Sequence, residues 1–153
     1  PSCLAPALRP CTGLPLANNV FMIDEFLENE MKAGKITKDQ FGQEKKKIKL
    51  HGHCYQKSLA STSPTLFLLG FPENYTVEEI PSGCCGMAGS FGYEKEHYEV
   101  SMAIGEQTLF PAIRNTSDET IISANGTSCR HQIKDGTQRE ALHPITILRQ
   151  ALV

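Results

Sequence analysis

Residues 120–124 read Thr120-Ile121-Ile122-Ser123-Ala124, a short continuous run rich in β-branched side chains. Such a run has no polar face, so it suits a strand buried on both sides, as in a parallel sheet covered by helices. Working outward, Ile48-Lys49-Leu50-His51 and Tyr75-Thr76-Val77-Glu78-Glu79-Ile80 read as two further strands. Helical patterns separate them. Ser63-Pro64 is a good N-cap–N1 pair for a helix through Leu69, closed by Gly70. A shorter helical turn precedes it at Gln56–Ala60. Tyr93–Ile113 reads as one long helix carrying Tyr98, Met102, Leu109 and Ile113 on one face, bent or ended by Pro111. His143-Pro144 opens a last helix that aligns Ile145, Leu148 and Leu152. Strands alternating with helices predict βαβ units with right-handed crossovers. The expected fold is α/β: a Rossmann-like, three-layer βαβ domain with a small, mainly parallel sheet.

Upstream of the sheet, Leu16, Val20, Ile23, Leu27 and Met31 recur at helical spacing, predicting an amphipathic helix over roughly 16–33 with Gly34 as its stop. Residues 1–15 hold four prolines and no period, and read as an irregular tail before a domain over 16–153. A length of 153 residues fits one domain. The 40% hydrophobic and 21% charged content is that of a globular protein. With Lys+Arg at 15 and Asp+Glu at 17, the net charge of −2 argues against a nucleic-acid partner. The longest apolar run, Leu66–Phe71, is too short to span a membrane. Asn-X-Ser/Thr sequons at Asn74, Asn115 and Asn125 carry little weight, because such triplets are common by chance.

The chemistry lies in the cysteines. Of six, Cys54 follows the first strand, Cys84 and Cys85 the second, and Cys129 the third. All strands of a parallel sheet end at one edge, where ligands of such folds bind. Four thiols distant in sequence are therefore expected at the C-terminal edge of the strands. His51 and His53 precede the first thiol, and Arg130 and His131 follow the last. Nearby positive charge favours the metal-ligating thiolate. The loop Ser82-Gly83-Cys84-Cys85-Gly86-Met87-Ala88-Gly89-Ser90-Phe91-Gly92 has glycines that allow tight turns and N–H groups aimed at cluster sulfurs. It lacks the Gly-Lys-Ser/Thr ending of a phosphate loop. Zinc also suits thiols and imidazoles, although the spacing is not that of a zinc ribbon or finger. A Cys84–Cys85 disulfide would be strained, and a cysteine nucleophile paired with His53 or His131 would leave the other thiols unexplained. His97 and His143 read as a helix-surface and a helix-cap residue.

Taken together, His51-Gly-His53-Cys54-Tyr55-Gln56-Lys57, Cys84-Cys85-Gly86-Met87-Ala88-Gly89, Cys129-Arg130-His131-Gln132 and His143-Pro144-Ile145 resemble the cysteine-rich CCG domain. That domain occurs in heterodisulfide reductase and in the iron–sulfur subunits of glycolate oxidase and anaerobic glycerol-3-phosphate dehydrogenase. It also occurs in FAD-linked oxidases acting on D-lactate or D-2-hydroxyglutarate. The resemblance runs from about Val20 to Val153 and is closest to the C-terminal CCG half. Pro1-Ser2-Cys3-Leu4 resembles the last cysteine motif of a preceding half, which implies a piece of a longer protein.

The resemblance implies an iron–sulfur cluster held by Cys54, Cys84, Cys85 and Cys129. Gly83, Gly86, Gly89, His51, His53, Arg130 and His131 would surround it. It also implies a flavin-containing dehydrogenase partner that carries FAD, an N-terminal CCG half, a ferredoxin-like domain, and a quinone or membrane acceptor. The expected location is cytoplasmic, at most peripheral at the inner membrane face. The family motif ends in Cys-X-X-Cys, and its first position here is Gly126. Four thiolates suffice for a 4Fe–4S cluster but not for a five-thiolate non-cubane one, leaving His53 or His131 to add a ligand. Zinc in a structural or docking domain without redox role is the alternative.

Overall fold

In the computed structural model, residues 20–153 are described. The 1–15 tail and the start of the helix expected from residue 16 lie outside them. Strands β1 (Lys46–His51), β2 (Tyr75–Glu79), β3 (Ile121–Ala124) and β4 (Ala141–Leu142) form one sheet in the order β2-β1-β3-β4. Every neighbouring pair is parallel, with Ile48 opposite Val77 and Ile121, and His51 opposite Ala124. Leaving β1 the chain moves outward to β2, then crosses back over β1 to β3. The β1–β3 junction is thus a topological switch point, where the loops after neighbouring strands diverge and open a crevice.

Seven helices are described: α1 (Ile23–Lys32), α2 (Cys54–Leu59), α3 (Ser63–Leu69), α4 (Tyr98–Gln107), α5 (Leu109–Arg114), α6 (Thr127–Thr137) and α7 (Pro144–Gln150). They cover both faces of the sheet. Ile48, Leu50 and Ile121 pack with Leu69 of α3 and Ile147 of α7 on one face. On the other, Ile122 and Ala124 pack with Leu109, Phe110 and Ile113 of α5 and Ile133 of α6. The expected three-layer arrangement is found.

Where the long helix over 93–113 was expected, the chain instead makes short 3-10 turns at Phe91–Tyr93 and Lys95–His97, then α4 and α5. Pro111 explains the break at Thr108. In a continuous helix its ring would strike the Gln107 carbonyl and leave it without a donor, so α4 ends at Gln107. The new angle lets Phe110 fill the space between α4 and α6. A Cβ on Gly105 or on Gly136 would stand 2.3 Å from its ring, so close approach requires both glycines. Ahead of α4, Phe91 stacks on His97 at 4.1 Å and keeps residues 91–97 out of the helix.

A buried polar network ties α1 to the sheet edge. Asp24, 2% exposed, accepts from Gln56 Nε2 at 3.1 Å and from Thr65 Oγ1. Asn125 Nδ2 donates to Gln56 Oε1 at 2.9 Å. Nearly satisfied buried networks of this kind fix one arrangement of their elements. Asn125 is one of the sequon asparagines, and its burial suits this role rather than glycosylation.

Candidate metal centre

The site is assembled from three strand ends. His51 is the last residue of β1, and Cys54 opens α2 three residues later. Cys84 and Cys85 lie in the loop after β2, and Cys129 lies in the first turn of α6, just after β3. None of the four thiols forms a disulfide. Cys85 and Cys129 are buried with their Sγ atoms 3.3 Å apart, in hydrogen-bond contact. One ring nitrogen of His51 and these two sulfurs all lie within 4.8 Å of one another.

The loop glycines differ in their backbone and their contacts. Gly86 has φ +102°, and its N–H donates to Cys84 Sγ at 3.3 Å. Ser101 O would stand 2.1 Å from a Cβ there, so only glycine fits. The Met87 N–H serves Cys85 in the same way. Gly89 also has positive φ, whereas Gly83 contributes a carbonyl that accepts from Lys57 at 3.5 Å.

These surroundings polarise the thiols. The Cys85 thiol is lowered to about 4, chiefly by its hydrogen bond with Cys129, against burial, and further by His51 and the Met87 N–H. Cys129 is raised by that same bond to Cys85, by burial and by the Cys85 charge. The two sulfurs thus behave as one pair sharing a proton. Cys54 is raised by burial and then by the charge of Cys84. Crowded thiols that resist joint ionisation are relieved by a cation among them, and soft sulfur donors suit iron–sulfur clusters and zinc. The donor set fits a metal group.

The expected surrounding residues separate into distinct roles. His53 caps α2, its Nδ1 accepting from Tyr55 N at 3.3 Å, and burial lowers its pKa. Its ring stands beside Gly126, where a Cβ would lie 2.6 Å from His53 Cδ2 and 2.9 Å from Cys129 Sγ. His131 pairs with Tyr93 through a 2.7 Å contact between Nδ1 and the hydroxyl. Arg130 turns from the thiols to bond Ala124 O at 3.0 Å and Asn125 O at 2.8 Å. His143 caps α7 as expected, accepting from Ile145 N at 3.2 Å.

Sequence reasoning missed Tyr93, Ser82 and Lys57. Ser82 Oγ contacts His51 Nδ1 at 2.7 Å, and Lys57 Nζ bonds Ser82 O, tying α2 to the cysteine loop. Lys57 lies within the motif that begins at His51, so position alone pointed to it. Tyr93 gave no signal while it was read as the first residue of a long helix.

The chain is 36% identical over 106 residues to a subunit of the anaerobic glycerol-3-phosphate dehydrogenase of Escherichia coli K12. That match covers 69% of this chain and 26% of the relative. It is 30% identical over 104 residues to the D-2-hydroxyglutarate dehydrogenase of Pseudomonas putida, covering 67% of this chain and 10% of the relative. The Escherichia coli D-2-hydroxyglutarate dehydrogenase is 29% identical over 102 residues, again 10% of its length. The chain thus spans about a quarter of the first relative and a tenth of the other two. No family model matches it, and no solved structure matches it significantly. The resemblance read from the cysteine motifs holds: over about two thirds of its length, the chain is a homologue of these dehydrogenases.

Proposed function

We propose that the chain, as a homologue of dehydrogenase components, is an iron–sulfur electron-transfer module of a flavin-linked oxidoreductase. The observation that carries this reading is the meeting of thiols from separate strand ends at one sheet edge, with Cys85 and Cys129 3.3 Å apart. In this reading Cys54, Cys84, Cys85 and Cys129 hold a 4Fe–4S cluster. Bound there, the cluster supplies one-electron transfer between a flavin and an acceptor. The chain's own part is to hold the thiols together, to donate the Gly86 and Met87 N–H groups to sulfur, and to shield the site under α4 and α6. The Tyr93–His131 pair stands at the rim.

The relatives' names supply the proposed substrates, and the resemblance of the cysteine motifs the proposed partners. The parent enzyme oxidises glycerol 3-phosphate or a 2-hydroxy acid on a flavin-containing domain or subunit, and passes electrons to a quinone or membrane acceptor. An N-terminal CCG half and a ferredoxin-like domain would complete it, on the cytoplasmic side. Among the described residues no helix is long and apolar enough to cross a membrane. Iron, zinc and acid-labile sulfide per chain, measured on protein purified without oxygen, test the reading. About four iron and four sulfide per chain is the expected result.

One observation favours a second reading. The His51, Cys85 and Cys129 donors lie within 4.8 Å of one another, close to the spacing around one tetrahedral ion, about 3.8 Å between sulfurs at zinc. A single zinc would then hold the edge of a structural or docking domain. About one zinc and no sulfide would select it.

A further inference from the structure

We infer that His51 is a direct ligand of the metal centre through Nε2, with Ser82 setting its tautomer, so that the donor set mixes imidazole with thiolates. The inference rests on the metal-centre reading and deepens it, for iron or zinc alike. His51 is fully buried, at 0% exposure, on the sheet face that carries Ala124. A buried imidazole needs a partner for each nitrogen, since an unmet polar atom in the interior is costly. Nδ1 has one in Ser82 Oγ at 2.7 Å. Nε2 is buried with no hydrogen-bond partner among the described residues.

The geometry then narrows the choice. The His51 donor nitrogen and the Cys85 and Cys129 sulfurs lie within 4.8 Å of one another. Since Nδ1 is engaged by Ser82, Nε2 is the nitrogen left for the thiols. A ligating histidine normally donates its other N–H to an oxygen, which fixes the tautomer and frees the remaining lone pair. Ser82 Oγ stands where that oxygen is needed. The other two histidines of the edge, whose Nδ1 atoms cap α2 (His53) and meet Tyr93 (His131), are not in that group of donors. A cysteine at 126 would have its Cβ 2.9 Å from Cys129 Sγ and 2.6 Å from His53 Cδ2. That side of the site is therefore closed, and the further donor comes from the end of β1.

The test uses the full chain purified without oxygen, supplied with ferrous iron and sulfide or with zinc alone. Elemental analysis identifies the metal retained. Pulsed EPR of a reduced iron cluster, or X-ray absorption at the zinc edge, then asks whether an imidazole nitrogen is bonded to it. The expected result is one directly coordinated nitrogen in the wild type. In His51→Cys it is replaced by sulfur and the metal is kept. Ser82→Ala keeps the nitrogen but loses metal to a competing chelator about 10- to 100-fold more readily, and Ser82→Thr restores retention.

An all-sulfur donor set in the wild type, or an unchanged nitrogen signal in His51→Cys, overturns the inference and leaves the metal centre standing. Uptake of neither metal by the wild type overturns both. If Ser82→Ala fails to fold, the wild type and His51→Cys still decide.

Discussion

Three glycines of the cysteine loop should respond very differently to the same substitution, in an order set by the backbone. Gly83 has ordinary φ and open space around its missing Cβ, so Gly83→Ala should be nearly neutral. Gly89 has φ +77° and open space, so Gly89→Ala carries the left-handed penalty alone, about 1–2 kcal/mol. Gly86 has φ +102°, and an added Cβ would stand 2.1 Å from Ser101 O and 3.0 Å from Gln132 Nε2. Backbone strain of about 1–3 kcal/mol and overpacking of about 1–3 kcal/mol combine there, giving about 2–6 kcal/mol. Urea unfolding of the reduced, metal-free chain measures all three. Comparable m-values would confirm that the midpoints report stability. The reasoning is refuted if Gly86→Ala unfolds at the same midpoint as Gly83→Ala. It is refuted equally if Gly89→Ala is the most damaging of the three.

Other outcomes follow from the same contacts. In the reduced, metal-free chain, the lowered Cys85 pKa makes stability rise with pH from about 4 towards the ordinary thiol value of 9.0. The raised Cys129 makes stability fall above 9.0, so a pH series of unfolding midpoints should peak near 9.0, and Cys129→Ser should flatten both limbs. His143 is lowered by burial and by the Arg130 charge, against Asp24, so its contribution is lost as pH falls below 6.5. His143→Ala should cost about 0.5–2 kcal/mol as a lost helix cap, while His143→Asn should cost little because asparagine also caps. Gln56→Ala removes one hydrogen bond from Asp24 and one from Asn125, both of which keep Thr65, and thermal unfolding should report a loss of about 1–3 kcal/mol, at about 0.5–1.5 kcal/mol for each bond.

The parallel sheet was legible because its strands announce themselves by composition. Ile121–Ala124 has no polar face, and Ser63-Pro64 with Gly70 bounds α3 to within one residue, its N-cap being Thr62 rather than Ser63. Helix α6 was not read as an element, for a physical reason. Its inward stripe is Cys129, Gln132, Ile133 and Gly136, mostly not hydrophobic, and its polar member is satisfied by Ser101 at 2.9 Å. Hydrophobic periodicity cannot see a helix packed through a thiol, an amide and a glycine. Strand β4, two residues long, is below the reach of any pattern.

The thiols were legible because strand order alone brings their loops to one edge. The division among the histidines was not. His51, His53 and His131 look alike in sequence, and only the pleat of β1 sends His51 inward beside Ala124 while His53 becomes a cap. Arg130, expected beside the thiols, instead serves the carbonyls at the end of β3, a partner that no motif reveals.

The most direct test of the central claim is the iron, zinc and acid-labile sulfide content of the chain purified without oxygen, read with its visible spectrum. Brown protein with about four iron and four sulfide per chain is the expected result. Colourless protein with about one zinc and no sulfide would contradict the redox reading and leave a structural metal site. Colourless protein that retains neither metal would contradict the metal centre itself.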